Sequence, residues 1–130
     1  WQNTVRTILG DSSSAILIKT KNGPIFSRQT SNFFKTDKTM FFEGKFKLPE
    51  THKTSIIISI SNQKGENLYY KIKDLKNLIP TNNKWNTMRL WLNIPVINEE
   101  FLEFKLYINN RSKSTIYLDD LSIRLFETSD

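Results

Sequence analysis

FLEFKLYINNRSKSTIYLDDLSIRLF, residues 101–126, reads as two β-strands joined by one polar turn. In the first arm Leu102, Phe104, Leu106 and Ile108 alternate with Glu103, Lys105, Tyr107 and Asn109. Successive strand side chains point to opposite faces, so one face is apolar and the other wet. Asn109 to Ser114 is polar, and Asn tolerates left-handed backbone angles, which predicts a hairpin loop. The second arm opens with Ile116 and Leu118 on one face, then changes phase to Leu121, Ile123 and Leu125. An even-to-odd slip within one strand requires an extra residue, so a β-bulge is expected at Asp119-Asp120. Two adjacent carboxylates there are either solvated, bonded to a backbone loop, or ligands of a cation such as calcium, which prefers oxygen.

Working outward, residues 84–94 form a second informative strand. Met88, Leu90, Leu92 and Ile94 make its inward row, and Trp85, Thr87, Arg89, Trp91 and Asn93 the outward one. Residues 39–48 follow the same rule, with Met40, Phe42, Phe46 and Leu48 inward and Phe41, Glu43, Lys45 and Lys47 outward. Gly44 falls on that inward row and marks a bulge or a close backbone approach. Residues 54–62 put Ile56, Ile58 and Ile60 inward. After a turn at Gln63–Glu66, residues 67–73 are read with Leu68, Tyr70 and Ile72 inward and Tyr69, Lys71 and Lys73 outward. Asp74–Ile79 suits one helical turn or a strand extension. Nearer the start, residues 4–9 and 14–20 are short β-prone runs, Lys21-Asn22-Gly23-Pro24 reads as a turn, and Ile25 to Lys38 as an irregular crossing between sheets. Some eight strands with turn signals every 8–14 residues, and no sustained helical period, predict an all-β antiparallel β-sandwich. The long connections favour a jelly-roll over a meander.

The 130 residues suit a single domain, 1–130, and the start at Trp1 without a Met leads us to expect a domain excised from a longer chain or a processed chain. Cysteine is absent, which excludes disulfides, thiolate metal sites and thiol nucleophiles. No apolar run approaches the ~20 residues of a membrane helix, so no membrane insertion is expected. The net charge is +6, unevenly shared: residues 1–98 carry 15 Lys/Arg against 6 Asp/Glu, and residues 99–130 carry 4 against 7. The basic residues are spread singly, as on a lysine-rich soluble surface. Nucleic-acid binding by basic charge and aromatic rows is accordingly the weakest of three binding readings, and no nucleic acid is expected as a partner.

The pattern Trp85-Asn86-Thr87-Met88 to Pro95, then Leu102 to Asn110, then Ile116 to Ile123 resembles the ending of galactose-binding-like jelly-roll domains. These include carbohydrate-binding modules of bacterial glycan-degrading enzymes and C-terminal domains of Bacteroidetes envelope proteins. The resemblance implies an extracytoplasmic, non-catalytic module. It also implies a structural calcium near the last strand, with Asp119 or Asp120 as ligand.

Catalysis finds no support in the residues. His52, the single His, sits in a predicted loop beside Lys53 and reads as a surface residue. No phosphate-binding glycine loop and no metal-ligand spacing is present. Binding finds more. Trp85, Arg89 and Trp91 share one outward row, Tyr69 and Lys71 a second, and Tyr107, Lys105 and Glu103 a third. Two such rows adjacent in one sheet would make an aromatic platform for a glycan. The alternative partner is a neighbouring domain of the parent protein, held by a structural module that binds no small ligand.

Overall fold

A computed structural model of the chain describes residues 6–9, 16–18, 21–112 and 114–128, with side chains from residue 27 onward. The early β-prone runs therefore lie partly outside the described residues. Among the described residues nine strands appear in this order: β1 (Arg6–Leu9), β2 (Ile16–Ile18), β3 (Lys21–Ser31), β4 (Lys38–Lys47), β5 (Thr54–Asn62), β6 (Asn67–Asp74), β7 (Trp85–Ile94), β8 (Phe101–Asn110) and β9 (Ile116–Glu127). They form two antiparallel sheets. The first, sheet A, runs β1-β9-β4-β7, with β2 also paired to β9. The second, sheet B, runs β3-β8-β5-β6.

The pairings are nested. β5 pairs with β6, β4 with β7, β3 with β8, and β1 and β2 with β9. A long doubled ribbon rolled up on itself gives this pattern, which is the jelly-roll. The inward rows of the two sheets meet in one core containing Phe34, Phe42, Phe46, Phe104, Met40 and Leu48, all fully buried. Burying such side chains contributes roughly 1.5–3 kcal/mol each. The inward rows expected for β4, β5, β7 and β8 all lie in this core, and a 3-10 turn at Leu75–Asn77 follows β6.

The bulge in β9 is present. Glu43 pairs with Ser122 and Lys45 with Asp119, so Asp120 and Leu121 together face Gly44. Asp120 takes the left-handed conformation, φ 51°. That turn lets the apolar row continue as Leu121, Ile123 and Leu125 after Ile116 and Leu118. Gly44 answers to both readings of it. It faces the bulge, and a Cβ there would stand 2.7 Å from Leu121 Cδ2.

Four expectations are corrected. Residues 101–126 are no hairpin: β8 lies inside sheet B and β9 inside sheet A, so the turn between them crosses the sandwich. Its polar residues do turn the chain, but toward the other sheet. The Asn110 side chain accepts from the Ser112 N–H at 3.1 Å and donates to the Ser114 carbonyl at 2.8 Å, while the Arg111 N–H bonds the Lys53 carbonyl at 2.7 Å. Second, Lys21–Pro24 is no turn but the start of β3, which absorbs Pro24 through a register shift before Phe26. Pro is tolerated there because β3 is an edge strand. Third, β6 has the opposite phase. Ile60, Ile58 and Ile56 stand opposite Tyr69, Lys71 and Lys73, and directly paired residues share a face. Tyr69 is thus inward and 9% exposed, and Leu68, Tyr70 and Ile72 are outward and exposed. β6 is the sheet edge, where inward-pointing lysines can reach water along their stems and discourage further strand pairing. Fourth, His52 is not a surface residue; it is 8% exposed.

Candidate functional site

The sandwich has two outer faces, and the expected platform is divided between them. Trp85, Arg89 and Trp91 lie on β7 in sheet A, whereas Glu103, Lys105 and Tyr107 lie on β8 in sheet B. Tyr69 points into the core, and its hydroxyl donates to the Asn93 carbonyl at 3.4 Å. Lys71 lies beside it, with Nζ 6.0 Å from the Tyr69 ring centre. No two of the three rows are neighbours in one sheet, because β5 separates β6 from β8. The side-by-side aromatic rows needed for a single-stranded nucleic acid are divided in the same way.

On the outer face of sheet A, Phe41 pairs across strands with Trp91 on one side and Arg124 on the other. The Trp91 ring covers Phe41, with centroids 4.2 Å apart, and approaches Phe126 at 6.3 Å. Phe41 is 8% exposed and Trp91 60%. Two aromatic rings are therefore buried on the solvent side of the sheet, beneath a Trp that is itself open. Around them the face is polar and paired. Arg89 Nε donates to Glu43 Oε2 at 2.7 Å, and Thr39 Oγ1 donates to Asn93 Oδ1 at 3.2 Å. Lys47 Nζ lies over the Tyr117 ring at 5.6 Å, and Trp85, exposed, stands opposite Lys47. Trp91 was legible from its row. Phe126 was not singled out; its position in the even row after the bulge, level with Arg124 and Ser122, was the available signal.

At the bulge, Asp120 Oδ2 pairs with Lys45 Nζ at 3.1 Å, and Asp119 Oδ1 accepts the Asp120 N–H at 2.8 Å. Each carboxylate thus has a bond of its own within the bulge. Among the described residues no group of three or more His, Cys, Asp or Glu is placed to hold a metal ion, and no catalytic constellation is assembled.

The outer face of sheet B carries a groove of about 730 Å³ lined by Gln29, Ser59, Asn62, Phe101, Glu103 and Tyr107 among others. Its floor is polar and internally bonded. Glu103 accepts from Ser27 Oγ at 3.2 Å and lies 3.5 Å from Lys105 Nζ. Burial first, and a side-chain hydrogen bond shared with Tyr70 second, raise the Tyr107 phenol above its ordinary pKa. Beside the groove, Ile57 faces outward yet is 3% exposed, with Tyr107 and Ile72 opposite it on the two flanking strands.

The fold and its faces describe a nine-stranded jelly-roll without an assembled catalytic or metal centre among the described residues. Comparison with solved structures then gives the particular likeness. The structure of the infectious bursal disease virus Gx strain matches with a TM-score of 0.69 at 14% identity, over 97% of this chain and 33% of that one. The VP2 subviral particle of the same virus matches with 0.69 at 15% identity, over 97% and 32%. A carbohydrate-binding module of the β-sandwich superfamily matches less closely, with 0.50 at 11% identity, over 92% and 52%. This chain thus spans about a third of the viral chains that it matches. No family model matches the sequence, and no curated protein does. At these identities the likeness establishes the fold alone. It corrects the galactose-binding-like, carbohydrate-binding resemblance: the nested jelly-roll follows the viral capsid structures over nearly the whole chain, and the glycan-module match is the looser one. No helix among the described residues is long and apolar enough to cross a membrane.

Proposed function

We propose that this chain is a non-catalytic structural module of a longer protein, which packs against a neighbouring domain of that protein through the outer face of sheet A. The observation that carries the reading is Trp91, open to solvent on a base of buried Phe41 and Phe126. A Trp surrounded by paired polar groups is the composition of an interface centre with its rim. The jelly-roll matches support it in kind, since VP2 chains about three times longer form subviral and T=1 particles. A location outside the cytoplasm, at a cell or particle surface, belongs to the same reading.

The test is sedimentation of the isolated chain across a range of concentrations, compared with Trp91→Lys. An uncovered docking face self-associates. Covering one Trp contributes about 2 kcal/mol, so Trp91→Lys should weaken self-association by roughly 30-fold while the melting temperature stays within a few degrees. Strict monomer behaviour of both proteins at every concentration would count against the reading.

A further inference from the structure

At the end of the sandwich where β5 begins and β6 ends, a cleft of about 170 Å³ is lined by His52, Lys53, Thr54, Asp74, Lys76 and Arg111. It lies on sheet B and its loops, and shares no residue with the Trp91 face. His52 is more than nine-tenths buried, and among the described residues neither of its ring nitrogens has a hydrogen-bond partner. Buried polar groups are nearly always bonded, so an imidazole whose two nitrogens are both sealed from water and unpartnered, beside a cleft, is an exception that calls for an account. Burial first, and the Lys76 charge second, hold the His52 pKa below its ordinary value, so the ring is neutral at pH 7 and offers one donor.

The charge around the ring is one-sided. Lys53, Lys76 and Arg111 are exposed, and none of them forms an ion pair among the described residues. Asp74 is the one carboxylate in the lining, and it is engaged: it accepts from Ser55 Oγ at 2.8 Å. Arg111 Nη1 in turn donates to Ser55 Oγ at 3.3 Å, and the Arg111 N–H holds the Lys53 carbonyl at 2.7 Å. These bonds fix the guanidinium stem at the cleft while leaving other N–H donors of its fork unassigned. Three cations against one carboxylate leave an excess of two positive charges over a small pocket. A space of about 170 Å³ corresponds to roughly five water molecules, enough for one compact ion with a little water.

We propose that this cleft is a binding site for a tetrahedral oxyanion of the sulfate or phosphate class. Arg111, Lys76 and Lys53 supply its charge partners, and the His52 ring, with its nitrogens buried beside the cleft, feels the field of the bound charge. Arg suits such an ion because its planar fork matches two oxygens at once. The bound dianion also favours the imidazolium, so binding draws a proton onto His52 against the opposing field of Lys76. Affinity for sulfate, whose own charge is constant over the range, therefore rises as pH falls from 8 to 5.5.

The experiment is a titration of the whole chain with sodium sulfate, inorganic phosphate and O-phosphoserine, followed by the ring C–H proton resonances of His52 at constant ionic strength set with chloride. The chain has a single His, so these signals are unambiguous. Sulfate also stabilises folded proteins by exclusion from their surface, so melting temperature alone does not decide the matter. Expected are saturable shifts of the ring signals and a rise of the His52 titration midpoint with sulfate. Affinity should be at least threefold higher at pH 5.5 than at pH 8. A tenfold or greater loss should follow in Lys76→Gln and in Arg111→Gln, both at exposed positions, with an unchanged melting temperature in chloride as the check on folding. Phosphoserine binding as tightly as inorganic phosphate would identify the ion as the end of a larger molecule, and weaker binding a free ion; both outcomes support the site. Ring signals that move no more with sulfate than with chloride, or that move equally in both variants, would overturn it.

Discussion

Replacing Gly44 by Ala tests the contact between β4 and the bulge of β9. The added Cβ would stand 2.7 Å from Leu121 Cδ2 and 3.3 Å from Phe46 Cε1, where ordinary contact begins near 3.4 Å. Leu121 is fully buried, so its methyl group has nowhere empty to turn. Overpacking of this kind costs about 1–3 kcal/mol. Against it stands the smaller conformational entropy of unfolded Ala, which contributes about 0.4–1 kcal/mol of stability. The net expectation is a loss of about 1–2 kcal/mol. Leu121→Ala alone removes a buried side chain and should cost about 2–5 kcal/mol. In that background the obstructing methyl is gone and the new Cβ fills part of the cavity. Gly44→Ala should then be neutral or stabilising, a coupling of about 2 kcal/mol between the sites. Urea unfolding of the four proteins measures it, with unchanged m-values as the check that the denatured state is comparable. If the two substitutions simply add, Gly44 is not kept small by Leu121 and the account of the bulge is wrong.

Two further predictions concern buried charge. Lys38 is 4% exposed, and its Nζ is held by Glu127 Oε1 at 2.6 Å and Thr36 Oγ1 at 2.5 Å beside the Phe33 ring. Glu127→Gln strands that ammonium and should cost about 1–2 kcal/mol in denaturant unfolding, less than a fully buried pair because water reaches Glu127. Lys38→Met should cost less than Glu127→Gln, and the reverse order would refute the description of Lys38 as the buried partner whose charge depends on Glu127. The pair holds the Glu127 carboxyl below its ordinary pKa, so its contribution is complete above about pH 4.5 and is lost as pH falls through the folded value. His52 acts higher on the scale. Its folded pKa is depressed, so below about pH 6.5 the unfolded chain takes up a proton that the folded chain refuses. Stability in chloride buffer should fall from pH 7 to 5.5 with a slope of at most about 1.4 kcal/mol per unit, and His52→Gln should remove that slope. An identical slope in wild type and variant would refute it.

What the sequence could show here was what neighbouring residues determine. Alternation placed the inward rows of β4, β5, β7 and β8, and the phase change at Asp119-Asp120 located the bulge without its partners Glu43 and Lys45, which lie far earlier in the chain. The failures share one cause. Whether Phe101–Asn110 pairs with Ile116–Glu127 depends on which sheet each joins, and partners such as Arg28 with Phe104 or Lys45 with Asp119 are distant in the chain. In β6 the more apolar row, Leu68, Tyr70 and Ile72, is the one that faces out, so only the register against Ile56, Ile58 and Ile60 decides that Tyr69 turns in. The divided platform follows from the same blindness, since strand order decides which outward rows are neighbours. His52 is a separate case: it lies in the segment between β4 and β5, which carries no periodicity.

The place of β9 has a consequence for synthesis. It is the interior strand that joins β1 and β2 to β4. As the polypeptide leaves the ribosome, β5 and β6 can close at once. β1 and β2 must wait about a hundred residues for their partner to emerge, and one side of β4 about eighty. Until then half of the sandwich is an open template of unsatisfied strand edges, exposed to chaperones and to neighbouring nascent chains. Closure of the domain is thus timed by translation: pausing before codon 116 should prolong the sticky interval, and a pause placed after β9 has left the ribosomal exit tunnel should not.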